Sequence, residues 1–317
     1  MTAKAKTKGT FKKRARLPIS EFVLFLSLFA VIGFSDTLST GAKKGLVLTA
    51  GTILPSIFPF MVLGDFISYY ISKNGLGIFE GALCRIFGIS RGETAIFGSG
   101  LLCGFPASAV LASRAYKDGS ISKSRATTVS ALSSNPSPTF IIGAVGGGLL
   151  NDEKAGMILL LSLFISVIIT RFLFPAKRQK NQFPDIIFGQ KYSFVSSVKN
   201  AGAVSVTVFS FISIFCALIE LIKLFIGEGV FFSLLVPFTE VSTAVVHLSS
   251  KCALPKLFIN LLLGFSIGFG GISANLQCIA FLAEAGLKAK RFLAVKLCLG
   301  LICAVVTALC LHLYSIL

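Results

Sequence analysis

Long apolar runs separated by short polar connections dominate this chain. Charge-free runs cover 22–35, 45–64, 94–113, 126–151, 155–170, 200–219, 257–283 and 297–317. A helix that crosses a bilayer needs roughly 20 apolar residues, so most of these runs are long enough to span. They predict an all-α polytopic membrane protein. Residues 1–16 form a basic tail, 17–174 a first membrane half, 175–190 a polar loop and 191–317 a second membrane half. In the first half the pattern predicts a helix over 18–34, left uncleaved because no small-residue cleavage site follows it. A second helix, capped by Ser35, Asp36 or Thr37, runs through 45–70 and kinks at Pro55 and Pro59. An amphipathic segment over 76–89 and a full helix over 152–174 follow. In the second half helices are predicted over 194–225 and 292–317, with an irregular stretch at 227–250.

Two runs are interrupted. Gly104-Phe105-Pro106-Ala107-Ser108 breaks the run over 94–116, and Gly270-Gly271-Ile272-Ser273-Ala274-Asn275 breaks the run over 257–283. An ungapped shift of 167 positions lays Gly104 on Gly271, Ala107 on Ala274, the turn glycine Gly119 on Gly286 and Lys123 on Lys290. Paired glycine- or proline-interrupted segments in two halves of a chain point to a solute site inside the membrane. Two further breaks lie beside them. Ser134-Asn135-Pro136-Ser137-Pro138 cannot form a regular helix interior, because each proline removes a donor and crowds the preceding turn. Thr239-Glu240-Val241-Ser242-Thr243 places a carboxylate in an apolar stretch.

Composition supports the membrane reading: 54% of residues are hydrophobic and only 14% charged, where a soluble domain carries about 25% charge. The net charge of +17 does not point to nucleic acid, because seven basic residues precede Leu17 and most others sit in short connections. That distribution holds Lys and Arg on the cytoplasmic side, against anionic lipid, and predicts a cytoplasmic N-terminus. The connections after the two interrupted runs carry Arg114, Lys117, Lys123 and Arg125, and Lys288, Lys290, Arg291 and Lys296. Both sets read as cytoplasmic. Eight cysteines without a Cys-x-x-Cys pair and only two histidines predict neither a disulfide framework nor a metal centre. There is no Gly-x-Ser-x-Gly elbow, no HExxH, no P-loop and no cofactor motif, so an enzyme is the least supported class.

Irregular backbone at membrane depth is tolerated only where protein or a water-filled cavity surrounds it. The four breaks are therefore candidate cavity walls, shaped by Gly104, Pro106, Pro136, Pro138, Gly270 and Gly271. Their polar side chains, Ser108, Ser134, Asn135, Ser137, Glu240, Ser242, Ser273, Asn275 and Gln277, are the candidate ligands. Two readings stand for each: it satisfies its own helix break or a neighbouring helix, or it faces a solute. Glu240 stands out, since an ionisable residue in the membrane is a functional hypothesis by default. Glu93 reads as interfacial, Glu220 and Lys223 as an i,i+3 pair, and Gly146-Gly147-Gly148 as a site of close helix packing.

Gly104-Phe105-Pro106, Asp118-Gly119 with Lys123, Ser134-Asn135 followed by Pro138-x-Phe140-Ile141-Ile142-Gly143, Glu240-Val241-Ser242 and Gly270-Gly271-Ile272-Ser273 resemble, in this order, the gate-domain or nucleoside-recognition-domain family of membrane proteins. Within it the chain resembles the YlbJ-type sporulation integral membrane proteins. The resemblance implies two gate repeats in inverted topology, a bacterial cell membrane, and kinship with nucleoside carriers and ferrous-iron transporters. Gly100-x-x-Cys103-x-x-Pro106 is similar to the gate element of the latter. Pro136-Ser137-Pro138 and Thr243-Ala244 depart from the family pattern at the supposed site.

These observations lead to a transporter-like protein with a midplane site for a small polar, nucleoside-like solute, acting in sporulation, with membrane lipid as the surrounding partner. The alternatives are a non-transporting scaffold for spore-envelope assembly and, on Cys103, a metal-ion permease.

Overall fold

The computed structural model describes residues 28–29, 31–75, 77–175, 193–250 and 254–316. The basic tail, most of the helix expected over 18–34 and most of the polar loop fall outside the described residues. Among the described residues every regular element is helical. Four segments are long and apolar enough to cross a membrane: Glu153–Leu173, Phe194–Ile226, Lys256–Glu284 and Ala289–Tyr314. A fifth forms if Ser35–Ile53 and Ile57–Ile71, bent by 64°, count as one span. The protein is an all-α, multi-pass membrane protein.

The first span is α1 (Ser35–Leu48), a π-helical turn (Thr49–Ile53) and α2 (Leu54–Asn74). The bend lies between Ile53 and Ile57, at Pro55 rather than at both prolines; Pro59 sits inside α2. Pro55 has no N–H and crowds the carbonyl four residues back, and the wider π turn relieves that conflict. Ser35, Asp36 and Thr37 do not cap: the residue before α1 is Phe34, and no side chain caps this end. The short α3 (Ile78–Phe87) follows.

Next come α4 (Thr94–Cys103) and α5 (Ala107–Lys117), then α6 (Lys123–Ser133), a π-helical segment (Phe140–Leu149) and α7 (Glu153–Leu173). Ser122 caps α6 by accepting from the Arg125 backbone N–H, and Asp152 caps α7 by accepting from that of Ala155. The second half holds α8 (Phe194–Ile226), α9 (Val230–Thr239), α10 (Val241–Ser250), α11 (Lys256–Phe269), α12 (Gly271–Glu284) and α13 (Ala289–Ile316). The stretch at 227–250, expected to be irregular, is two short helices broken at Glu240.

Small residues set the close crossings, as expected where lipid offers no hydrophobic drive between helices. Gly41 and Gly45 seat α1 on α8: a Cβ at either would come 2.6 Å from Ala217 Cα or 2.8 Å from Ser213 Cα. Gly264 and Gly268 do the same for α11 on α13, against Cys303. Gly146 lies against Gly156, which fits the packing role expected of the triple glycine.

Contacts give the direction of each element. Lys123 Nζ donates to Gly286 O (3.4 Å), Ser113 Oγ to Phe281 O (2.9 Å), and Arg291 to both Thr128 Oγ1 (3.1 Å) and Pro175 O (3.2 Å). The turns at Gly119 and Gly286 and the end of α7 therefore share one end of the molecule, here called the basic end. The hairpin α4–α5 starts there, because Glu93 at its base pairs with Arg125 at the start of α6, and it returns there at Gly119. The hairpin α9–α10 enters from the opposite end, after α8 has crossed. Its arms are joined by Ser233 Oγ and His247 Nε2 (2.9 Å).

The element order has a consequence for the two interrupted runs. Shifted by 167, they superpose two hairpins that point the same way, α5–α6 and α12–α13, with both turns at the basic end. A shift of 136 carries α4, Thr94–Cys103, onto α9, Val230–Thr239, and also carries Ser133 onto Phe269, where α6 and α11 end, and Glu153 onto Ala289, where α7 and α13 begin. In that pairing the counterpart of the Gly104 break is Glu240, and the counterpart of Ser134–Pro138 is Gly270–Gly271. The paired elements enter from opposite ends.

Candidate functional site

The four breaks meet. Gly104 (φ 77°) lies against the second break: a Cβ there would come 2.9 Å from Ser137 N and 3.1 Å from Asn135 O. Gly271 (φ 70°) lies equally close to Glu240, with Cα and N at 3.0 and 3.1 Å from the same virtual atom. Each break thus needs glycine twice over, for a left-handed backbone and for close approach. Phe105, at the tip of α4–α5, covers Gly270 and joins the two pairs.

Between them is a cavity of about 60 Å³, with room for a few water molecules. All four breaks line it, through Gly104 and Phe105, Pro136 and Ser137, Glu240 and Ser242, and Ala274 and Gln277. Ile53 and Ile57 of the first span and Val208 and Ile212 of α8 close the apolar side.

Glu240 is only 2% exposed and has no basic partner among the described residues. Its carboxylate accepts from the backbone N–H groups of Ser242 (3.0 Å) and Thr243 (2.6 Å), so it caps α10 while facing the cavity. Those donors and the helix dipole offset part of the cost of burying a charge. Ser137 Oγ accepts from Phe140 N (3.2 Å) and bonds Thr139 Oγ1 (3.0 Å). Gln277, 3% exposed, makes no hydrogen bond to a described residue and lines the cavity, which leaves its amide available there.

The remaining expected ligands stand behind this wall. Ser108 Oγ and Ser134 Oγ bond each other at 2.6 Å, joining α5 to the end of α6. Asn135 donates to Leu132 O (2.8 Å), and Asn275 donates to Phe269 O (2.9 Å) and Gly271 O (2.7 Å), each tying off carbonyls freed by its own break. Asn275 Oδ1 and Ser273 Oγ are buried without a hydrogen-bond partner among the described residues. Pro106 precedes the first residue of α5, and Pro136 and Pro138 lie between α6 and the π-helical segment.

One expectation is corrected. Lys296 is not in the cytoplasmic connection. It lies inside α13, fully buried, and donates to Ser134 O (2.7 Å) and Asn135 Oδ1 (2.9 Å), with the Phe105 ring centroid 5.2 Å away. Its signal in the sequence was a single lysine opening an otherwise charge-free final run. Glu93, at the base of α4–α5, is fully buried rather than exposed to solvent: it pairs with Arg125 through two contacts and accepts from Ser90 N (2.7 Å). A capping box, Ser90-x-x-Glu93, was readable there; the tertiary partner was not. Glu220 pairs with Lys223 (3.9 Å) as expected, and more closely with Lys44 (2.8 Å). Among the described residues no group of three or more His, Cys, Asp or Glu side chains is placed to hold a metal ion.

Comparison with known proteins adds one relative. Over 144 residues the chain is 27% identical to the sporulation integral membrane protein YlbJ of Bacillus subtilis (strain 168). The match covers 45% of this chain and 35% of that relative. No family model matches, and no solved structure matches.

Proposed function

We propose that this protein is a transporter-like membrane protein that binds a small polar solute at the middle of the membrane, between α4–α5 and α9–α10. The observation that carries the reading is the convergence of four helix breaks from both halves on one cavity lined by the Glu240 carboxylate and by Gln277, whose amide bonds no described residue. Broken helices that enter from opposite ends and meet at a polar point are the arrangement in which a site is reached alternately from either side. The matched order of elements at an offset of 136 residues favours a gate-type inverted pair. At about 60 Å³ the cavity accommodates water or a small ion, and a solute of nucleoside size enters only when the hairpin tips separate. The similarity to the Bacillus subtilis relative supports a role in sporulation. The bias of Lys and Arg toward the basic end supports a cytoplasmic position for that end and for the N-terminus.

Flux of a nucleoside panel and of small cations into proteoliposomes, with Glu240→Gln and Gln277→Ala, tests the reading. Flux by the parent and a loss of about tenfold or more in both variants supports it. Normal flux in both variants removes the cavity from the path, and no flux by the parent for any solute favours the scaffold reading.

A further inference from the structure

Lys296 is the one lysine that the structure describes as fully buried. It belongs to the last helix of the second half, yet both of its hydrogen-bond acceptors, Ser134 O and Asn135 Oδ1, lie in the first half, in the broken span formed by α6 and the π-helical segment after it. Its ammonium also sits over the ring of Phe105 in the first hairpin. Phe105 in turn covers Gly270 in the second half's break, and Gly104 beside it packs on Asn135 and Ser137. No ion pair joins Lys296 to a carboxylate among the described residues. A buried ammonium without a counter-charge is costly, so these contacts with freed carbonyl oxygen, amide oxygen and ring are what hold it there.

We propose that Lys296 is the interlock between the two halves: a positioning residue that holds the Ser134–Asn135 break, and through it Gly104 and Ser137, in the arrangement that keeps the cavity closed. The proposal rests on the cavity reading above. Lys296 is not a ligand of the solute, since it does not line the cavity. The interlock follows from connectivity. One side chain reaches three of the structural parts that must separate if the hairpin tips are to part: the broken span, the first hairpin and, through Phe105, the Gly270 break.

Cys103 reports on this closure without any transport assay. It lines the cavity next to Gly104, is 2% exposed, and is held by a contact of its thiol with Phe60 O (3.1 Å). In the full chain with Cys103 as the remaining cysteine, the rate of labelling by N-ethylmaleimide in liposomes measures how often the cavity opens. Lys296→Met keeps the apolar stem and removes both donations, and it is expected to speed labelling about tenfold or more. Asn135→Asp keeps the acceptor and gives the ammonium a carboxylate, and it is expected to slow labelling and raise the melting temperature. If Lys296→Met does not fold, Asn135→Leu removes one acceptor and is expected to shift labelling in the same direction as the lysine variant. In the double variant Lys296→Met/Asn135→Asp the slowing is expected to vanish, because it acts through Lys296. A lysine that merely supports the fold would lower the melting temperature while leaving labelling of the folded fraction within about twofold of the parent; that result overturns the interlock. Failure of solute flux in the parent would sink the transport reading and leave the labelling result standing.

Discussion

Phe105 lies on Gly270 so closely that a Cβ at residue 270 would come 2.4 Å from its Cζ. The tip of a hairpin in the first half thus rests on the helix break of the second, where the backbone is left-handed (φ 84°) and the glycine has no side chain in the way. Gly270→Ala should therefore carry two costs, a left-handed alanine and a displaced ring, together about 3 kcal/mol. Gly286→Ala shares the conformation (φ 72°) but meets no neighbour within 4 Å, and should cost only about 1–2 kcal/mol. Thermal unfolding of both variants in detergent checks this. Equal losses would show that the ring does not press on Gly270.

The Glu93–Arg125 pair fastens the base of α4–α5 to the start of α6 deep in the protein. Removing one partner leaves the other charge buried and alone, at a cost of about 3–5 kcal/mol. Glu93→Gln and Arg125→Met should each lower the melting temperature sharply. The double variant Glu93→Met/Arg125→Met should recover much of the loss. A double variant as unstable as the sum of the singles would mean that the two charges do not act as a pair.

Glu240 has two tasks that substitution can separate. Glu240→Ala removes the cap of α10 and should cost about 1–2 kcal/mol. Glu240→Gln retains an acceptor and should keep most of that stability while losing the charge. Loss of flux in the glutamine variant, at near-parental melting temperature, would assign the charge to solute handling.

The direction of the elements is open to labelling. Cysteines placed at Gly119 and Gly286 should react with an impermeant maleimide from the same side of the membrane, since Lys123 reaches Gly286 O. A cysteine at Gly227, between α8 and the second hairpin, should react from the other side. Opposite labelling of 119 and 286 would overturn the arrangement described above.

Much of this protein was legible along the chain. The positions of three of the four breaks followed from proline and glycine chemistry: Pro136 and Pro138 cannot continue a helix, and Gly104, Gly270 and Gly271 adopt the positive φ that their residue type permits. The offset of 167 is a likeness of two turns at the basic end, and two turns with the same glycine conformation look alike whichever way their hairpins run. Lys296 reads as part of a connection because a charge at the start of an apolar run looks interfacial until its partner is known, and Asn135 is distant in sequence; the partner of the buried Glu93, Arg125, is likewise invisible to local pattern.

The sequence by itself determined that the chain lives in a membrane, that its helices break at four places, and which polar groups those breaks carry, because bilayer thickness, apolar run length and backbone stereochemistry are local constraints. Only the tertiary structure decided that the breaks meet at one cavity, that Glu240 and Gln277 face it while Ser108, Ser134, Asn135, Ser273 and Asn275 stand behind, and that a lysine from the last helix ties the halves together. Those outcomes depend on how closely helices can approach and on where a buried donor finds its acceptor. Both join segments that are distant in sequence, and no local pattern encodes them.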